Sequence, residues 1–324
     1  MQVLVTTVPF GEPDARPRSR LQDAKIEYLL NPFDRKLTEA ELRDLVPGVE
    51  VLVAGTEPIT REVIEAADQL KLICRVGIGL DSVDLTAARE RGIQVTYTPE
   101  APSAAVAELT IGLMISLLRS VHRSNSELHN GTWRRYFGSR LEESTIGIIG
   151  VGRIGTRVIE HLKGFGCERI LINDLVSTED VEGRFSCKRC EKAQVYEEAD
   201  IITVHVPLTS QTRNMIAADE LGMMRNDSFL INTARGGIVD ESALFDALRG
   251  GQLAGAAIDT FEKEPYDGPL ARVDNCLLTA HMGSMSYDCR IRMEIEAVEE
   301  AVRYFQGEAL LQVVPEDEYE NQKS

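Results

Sequence analysis

The sequence has little basic charge and no long apolar run. These two absences argue against a nucleic-acid-binding protein and against a membrane protein. Lys and Arg number 35 against 52 Asp and Glu, which gives a net charge of −17 over 324 residues. A chain this acidic is a poor partner for nucleic acid or for an anionic membrane. No stretch approaches the roughly 20 apolar residues of a membrane span, and no basic segment of the signal-peptide type precedes the first apolar run. We therefore expect a cytoplasmic protein without nucleic-acid or membrane partners.

Cysteine is also sparse, and the lack of a secretion signal argues against a disulfide framework. The six cysteines are scattered, and without a secretion signal they are expected to be free thiols. Cys187 and Cys190 form the one close pair, but a structural zinc site needs two further ligands that do not stand nearby in sequence. We predict no metal, and we interpret the pair as part of a surface loop, with reversible oxidation as the alternative.

The most informative motif of the sequence lies in Ser144–Leu175. It contains a buried strand, a Gly-x-Gly-x-x-Gly turn, a helix, a second strand and an acid: 146–149, Gly150, Gly152, Gly155, 170–172 and Asp174. These glycines permit a tight turn, close approach of a pyrophosphate and close helix packing. Asp174, 19 residues after the third glycine, can bind a ribose diol and would repel a 2′-phosphate. The order predicts a dinucleotide site that prefers NAD to NADP.

Strands alternate with helices on both sides of this stretch. The alternation predicts an α/β protein with two doubly wound parallel sheets, and 324 residues suffice for about two domains. Local patterns predict a loop from Pro9 to Ser19, a long apolar helix from Ala104 to about Val121 capped by Ser103, and a frayed acidic tail from Pro315 to Ser324. The apolar helix is interpreted as buried packing rather than a membrane element.

Four strands of the second half end in polar residues. Asp174, Arg235, Asp259 and His281 follow successive apolar runs, and Glu264 stands five residues beyond Asp259. Ligands of open α/β sheets bind at the carboxyl ends of the strands. Arg offers a forked donor to a carboxylate, His titrates near neutral pH, and a carboxylate beside a His stabilises its charged form. The set suits reduction of a 2-oxo acid, although each residue alone could be an ordinary surface or structural group, as we expect for His205.

Taken together, these motifs resemble the D-isomer-specific 2-hydroxyacid dehydrogenases of the phosphoglycerate dehydrogenase-like kind over nearly the whole chain. The matching segments are Arg75–Asp81, Val106–Glu108, Gly131–Trp133, Gly150–Gly155, His205–Thr209, Asn232–Gly236, Asp259–Pro265 and His281–Gly283. The resemblance implies a Rossmann cofactor domain at residues 101–285. It also implies a discontinuous flavodoxin-like substrate domain at residues 1–100 and 286–324, which would hinge against the cofactor domain.

The resemblance also implies roles for individual residues. The catalytic group would be Arg235 for the substrate, His281 as general acid and base, and Glu264 as its partner. The substrate carboxylate would be bound by Arg75, Val76 and Gly77. Beyond the glycines and Asp174, the residues that line NAD would be Arg153, Ile154, Val206, Pro207, Thr233, Ala234, Asp259, Gly283 and Ser284.

Some positions depart from the family pattern. Ala280 replaces the proline that commonly precedes the catalytic histidine, and Ala54–Thr56 lacks the basic residue of phosphoglycerate-oxidising members. Arg134 or Arg135 could supply that charge across a homodimer, whose contact would involve the helix after Ser103 and Gly131–Arg135. Phosphorylated substrates such as 3-phosphoglycerate or erythronate 4-phosphate therefore stay open beside unphosphorylated acids. A non-catalytic NAD(H)-sensing binding module is the alternative from another class.

Overall fold

The computed structural model describes residues 2–323, which fall into two compact units. The first unit contains the residues up to Pro102 and those from Ser284 onward, and the second unit is Ser103–Gly283. The strands are β1 (Val3–Val5), β2 (Tyr28–Leu30), β3 (Val51–Ala54), β4 (Leu72–Arg75), β5 (Gln94–Thr96), β6 (Ile146–Ile149), β7 (Ile170–Asn173), β8 (Lys188–Arg189), β9 (Ile201–Val204), β10 (Phe229–Asn232), β11 (Gly255–Ile258) and β12 (Cys276–Leu278).

Helices connect the strands in both units. They are α1 (Arg16–Asp23), α2 (Glu39–Leu45), α3 (Arg61–Ala66), α4 (Leu85–Glu90), α5 (Ala101–Leu118), α6 (Val121–His129), α7 (Arg153–Gly164), α8 (Glu179–Phe185), α9 (Lys192–Glu198), α10 (Ala218–Met223), α11 (Glu241–Arg249), α12 (Tyr287–Gln306) and α13 (Glu316–Lys323). Short 3₁₀ turns occupy Leu141–Glu143 and Pro269–Arg272.

The first unit is built on a five-stranded parallel sheet in the order β2-β1-β3-β4-β5. This is the flavodoxin-like order, and it confirms the predicted fold class. The inner strands β1, β3 and β4 are buried along their whole length, because helices cover both faces of a parallel sheet. Side-chain caps define the helix starts: Thr38 and Glu41 form a capping box, and Thr60 accepts the N–H of Val63.

Helix α12 is fixed in the first unit by a buried ion pair. Arg290 Nε lies 2.7 Å from Glu294 Oε1, and both side chains are almost fully buried. Arg290 also donates to Thr7 Oγ1 at 2.9 Å, while Glu294 accepts the N–H of Gly11 at 2.8 Å. These bonds tie the helix to the segment after β1, so residues far apart in sequence form one unit.

The segment from α12 to Lys323 is ordered, whereas the sequence predicted a frayed tail over Pro315–Ser324. Ser324 lies outside the described residues. Val314 N–H donates to Val95 O at 2.9 Å, next to β5. Further on, Arg89 pairs with Glu316 and its guanidinium lies 3.8 Å from the centre of the Tyr319 ring. The prediction was wrong because these contacts are tertiary, and an acidic composition does not reveal them.

The second unit carries a seven-stranded parallel sheet in the order β12-β11-β10-β9-β6-β7-β8. Starting from β6, this is the Rossmann order with one further strand at the β12 edge. Alternate strand residues face two separate cores. Ile148, Ile172 and Ile231 pack with α5 and α7, whereas the neighbouring Ile149 and Leu230 pack with α9, α10 and α11.

Three local predictions differ from the structure. α1 begins at Arg16, inside the predicted loop, with a proline in its first turn, where proline is tolerated. α5 begins at Ala101, so Ser103 is not its cap, and it ends at Leu118 before Ser120 takes a positive φ. The segment between Cys187 and Cys190 is the edge strand β8 rather than a loop.

Helix α5 is the one described helix whose length and composition would suit a membrane span. Of its apolar window, 61% is buried inside the protein. Ile111, Met114 and Leu117 belong to the core that also contains strand residues of β6 and β7. This packing is that of a core helix, in agreement with the interpretation from sequence.

Candidate active site

The glycine-rich turn after β6 has the geometry that a pyrophosphate requires. Gly150 has a φ of +92°, and a Cβ there would lie 2.5 Å from His205 O. A Cβ on Gly155 would lie 2.1 Å from Gly150 O, so α7 can approach the turn only with glycine at this position. Gly152 is exposed and nothing lies within 4 Å of its Cβ position. The inner side of the turn is therefore packed against backbone atoms. Its outer side, beside the N-terminus of α7, is open to a ligand.

Asp174 lies next to this turn, as predicted. Its Oδ2 accepts the N–H of Val151 at 2.6 Å and its Oδ1 accepts the N–H of Val176 at 3.1 Å. Because two backbone bonds orient the carboxylate, it is positioned to accept hydrogen bonds from a ribose diol. Arg153 and Ile154 open α7 at the same edge, and Pro207 is exposed after β9.

The loop after β10 presents Arg235 and is organised by Asn232. Asn232 Nδ2 donates to Arg235 O at 2.8 Å, and Asn232 Oδ1 accepts the N–H of Ala234 at 3.0 Å. Thr233 Oγ1 lies 3.0 Å from Thr110 Oγ1 on α5, and both side chains are buried. The sequence named Thr233 and Ala234 as cofactor residues but gave no role to Asn232 or Thr110.

Gly236 brings the Arg235 loop against the segment that contains Glu264. A Cβ on Gly236 would lie 2.0 Å from Phe261 C and 2.3 Å from Glu262 N. Only glycine permits this approach of the two backbones. The loops after β10 and β11 are therefore in direct contact, which places Arg235 and Glu264 on adjoining loops.

His281 and Glu264 form the predicted pair. His281 Nδ1 lies 3.0 Å from Glu264 Oε1 and 3.1 Å from Oε2, with 34% and 23% of the two side chains exposed. Glu264 is itself oriented by the N–H of Phe261 at 3.2 Å. Because Nδ1 faces the carboxylate, Nε2 is directed away from it and is the ring nitrogen available for proton exchange.

The carboxylate of Asp259 is hydrogen-bonded to the segment around His281. Its carboxylate is fully buried and accepts bonds from Thr279 Oγ1 at 2.6 Å, Met282 N–H at 2.8 Å and Gly283 N–H at 2.9 Å. Ser284 follows Gly283 and is partly buried. The predicted contact of Asp259 with the nicotinamide stays a prediction, and a ligand there would share a carboxylate that already has three donors.

In the first unit, the amides predicted to bind a substrate carboxylate have protein acceptors. Val76 N–H donates to Ala54 O at 2.8 Å, and Gly77 N–H donates to Thr98 Oγ1 at 2.8 Å. The Arg75 guanidinium contacts the carbonyl of Val76, and its side chain is buried. The predicted role of these residues stays a prediction, and it would require both amides to exchange partners.

His205 differs from His281 in its surroundings. Its Nε2 lies 3.0 Å from Thr203 Oγ1, and burial lowers its pKa to about 3. The imidazole is therefore neutral at pH 7, and this agrees with the structural role expected for it. Val206, the next residue, lies against the Gly150 turn.

Comparisons with known proteins agree with this geometry. Residues 111–283 match the model of the D-isomer specific 2-hydroxyacid dehydrogenase, NAD binding domain. The chain is 38% identical to a D-3-phosphoglycerate dehydrogenase of Methanocaldococcus jannaschii over 86% of its own length and 54% of the relative's length. It is 35% identical to a glyoxylate reductase of Korarchaeum cryptofilum, covering 86% of this chain and 85% of that protein.

A solved structure shows the same fold. D-lactate dehydrogenase from Aquifex aeolicus, complexed with NAD and lactic acid, aligns with a TM-score of 0.84 at 26% identity over 94% of this chain and 96% of that one. The chain belongs to the D-isomer-specific 2-hydroxyacid dehydrogenase family. Its cofactor is NAD, for which the open glycine turn and the oriented Asp174 provide a fitting site. The chain spans about half the length of the phosphoglycerate dehydrogenase that it matches.

Proposed function

We propose that the protein is an NAD-dependent dehydrogenase that interconverts a D-2-hydroxy acid and its 2-oxo acid. The observation that carries this proposal is the His281–Glu264 pair, 3.0 Å apart, on loops that adjoin the Arg235 loop. A proton donor, its carboxylate partner and a forked cation are the groups that reduction of a 2-oxo acid needs beside a nicotinamide. NAD supplies the hydride chemistry.

Each residue has a defined part in the proposed reaction. Arg235 binds the substrate carboxylate and polarises the 2-oxo group. His281 Nε2 gives a proton to the carbonyl oxygen on reduction and takes it back on oxidation. Glu264 holds Nδ1 by a hydrogen bond and so keeps it turned away from the substrate. A catalytic group of this kind typically contributes a factor of about a hundred to ten thousand in rate.

The substrate that we propose is a small unphosphorylated acid. Residues 54–56 at the end of β3 carry no cation, and the carboxylate of Glu57, which is buried, accepts the N–H of Gly55 at 2.9 Å. A carboxylate at this strand end would repel a phosphate dianion. The similarity to a glyoxylate reductase over 85% of that protein's length supports a small substrate.

A phosphorylated substrate is the second candidate because of two arginines near Trp133. Arg134 is engaged within the chain, 3.6 Å from Glu127 and 4.9 Å from the centre of the Tyr136 ring. Arg135 is exposed and could bind a phosphate. The similarity to a D-3-phosphoglycerate dehydrogenase belongs with this candidate.

The deciding experiment is NADH oxidation with matched pairs of 2-oxo acids, one phosphorylated and one not. We expect turnover with the small unphosphorylated members, and a loss of at least about a hundredfold in kcat/KM for His281→Gln and Arg235→Ala. Turnover confined to the phosphorylated members, and lost in Arg135→Gln, would reverse the substrate assignment. NADH binding without turnover on any acid would support a sensing module instead.

We also propose a homodimer in the cytoplasm. The segment from Val121 to Phe137 exposes four large apolar side chains, and Trp133 and Phe137 are almost wholly exposed. Gly138 then returns the chain to α5, because a Cβ there would lie 2.0 Å from Leu118 O. An anchored segment with exposed aromatic residues is suited to contact with a second copy.

A further inference from the structure

His281 has a backbone conformation that a residue with a side chain rarely adopts. Its φ is +51°, in the left-handed region, where Cβ crowds the following carbonyl. The side-chain packing of its neighbours does not hold this conformation, since Ala280 is exposed and Met282 is 49% exposed. The strain therefore has to be supported by hydrogen bonds.

Those bonds converge on Asp259, at the end of β11. The carbonyl of Asp259 accepts the N–H of His281 at 2.8 Å. Its carboxylate accepts the two following amides, Met282 N–H on Oδ1 and Gly283 N–H on Oδ2. One residue thus fixes three consecutive amides of the strained turn.

Thr279 fixes the carboxylate in turn. Its Oγ1 donates to Asp259 Oδ1 at 2.6 Å, the same oxygen that accepts the Met282 amide. Because the carboxylate is fully buried, each donor that it loses leaves negative charge less compensated. The hydroxyl of Thr279 is therefore the side-chain donor that, together with the two backbone amides, holds this carboxylate in its rotation.

We propose that Thr279 is a positioning residue. It acts through Asp259 to hold the backbone of His281 in the left-handed conformation, with Nδ1 against Glu264. This inference rests on the proposed acid–base role of His281. Thr279 does not touch substrate in the proposal. Its effect on proton transfer passes through His281, and any effect on NADH binding passes through Asp259 and Gly283, which the family resemblance assigns to the cofactor. Among the described residues, Asp259 is the recorded hydrogen-bond partner of its hydroxyl.

Two variants separate the hydroxyl from the shape of the side chain. Thr279→Val keeps the volume and loses the donor, whereas Thr279→Ser keeps the donor and loses a methyl group. We expect Thr279→Val to lower kcat about tenfold or more and to alter the pH profile of kcat, with the Kd of NADH changed by a clearly smaller factor than kcat. In Thr279→Ser, kcat, its pH profile and the Kd of NADH should all remain close to those of the parent protein.

A second measurement needs no turnover. Hydrogen exchange of the Met282 and Gly283 amides, followed in the NADH complex, should accelerate about tenfold or more in Thr279→Val and not in Thr279→Ser. Unchanged exchange in Thr279→Val would overturn the proposal. So would an equal loss of kcat in both variants, or a loss of NADH affinity as large as the loss of kcat. If the parent protein turns over none of the acids but exchange is still accelerated in Thr279→Val, the positioning role of Thr279 is retained and only the proposed reaction is rejected.

Discussion

At the scale of single residues, two histidines of the second unit, His205 and His281, differ in their surroundings. His205 and His281 both follow a strand of the same sheet. His281 has a carboxylate at 3.0 Å and a third of its side chain in solvent. His205 has a threonine hydroxyl as the partner of Nε2 and no carboxylate within hydrogen-bonding distance among the described contacts. The two therefore differ in their hydrogen-bond partner, a carboxylate for His281 and a hydroxyl for His205.

The low pKa of His205 predicts a loss of stability in acid. Burial lowers the folded pKa from its ordinary value of 6.5 to about 3, so below pH 6.5 the unfolded chain binds a proton that the native protein does not. Between pH 7 and pH 5 this group should lower the free energy of unfolding by at most about 2 kcal/mol. Urea denaturation of the parent and of His205→Gln at both pH values measures the difference. Equal losses of stability in the two proteins would contradict the assignment.

Much of the site could be predicted from sequence because its residues end strands. Arg235, Glu264 and His281 were named from apolar runs and strand ends, and the structure places them on adjoining loops or in contact. Thr110 and Thr279 could not be named in this way. Their partners, Thr233 and Asp259, lie 123 and 20 residues away, and a hydroxyl of suitable geometry leaves no pattern in composition or periodicity.

At the scale of elements, geometry restricts the sequence of the turn between β6 and α7. Gly155→Ala would place a Cβ 2.1 Å from a backbone oxygen, so the helix has to move away from the strand. We expect a loss of stability of about 1–3 kcal/mol, the usual range for overpacking, together with weaker NADH binding. Urea denaturation and a fluorescence titration with NADH measure both effects.

Gly164, at the other end of the same helix, provides the control. Nothing lies within 4 Å of its Cβ position, and its φ is not positive. Gly164→Ala should leave NADH affinity unchanged and stabilise the helix by up to about 1 kcal/mol, since alanine has the higher helix propensity. Equal effects of the two substitutions would show that the Gly155 contact is not what restricts the turn.

The elements that sequence reasoning missed or misplaced depend on tertiary contacts. The buried central strands were found because they are continuous apolar runs. The edge strand β8 has two exposed charged residues, and α13 is acidic apart from a few residues such as Tyr319, which is buried. Neither has a periodic apolar face, so the pairing of β8 with β7 and the stacking of Arg89 on Tyr319 decide their structure.

At the scale of the whole molecule, two opposing forces act on the proposed homodimer. Each copy carries a net charge of −17, so two copies repel one another at long range. Trp133, 82% exposed, and the fully exposed Phe137 offer apolar area whose burial favours association. The repulsion is screened by salt, whereas the apolar contact is not.

The dimer should therefore strengthen as salt is added. Raising ionic strength from about 0.01 M to about 0.1 M shortens the Debye length from about 30 Å to about 10 Å, which removes much of the repulsion. Sedimentation equilibrium at both salt concentrations should show tighter association at the higher one. Trp133→Ser should weaken association under both conditions, whereas Leu311→Ser, at another exposed apolar residue outside this segment, should not. Association that weakens with salt would instead indicate that ion pairs such as those available to Arg134 and Arg135 dominate the contact. A Trp133→Ser protein that associates as tightly as the parent would place the interface elsewhere.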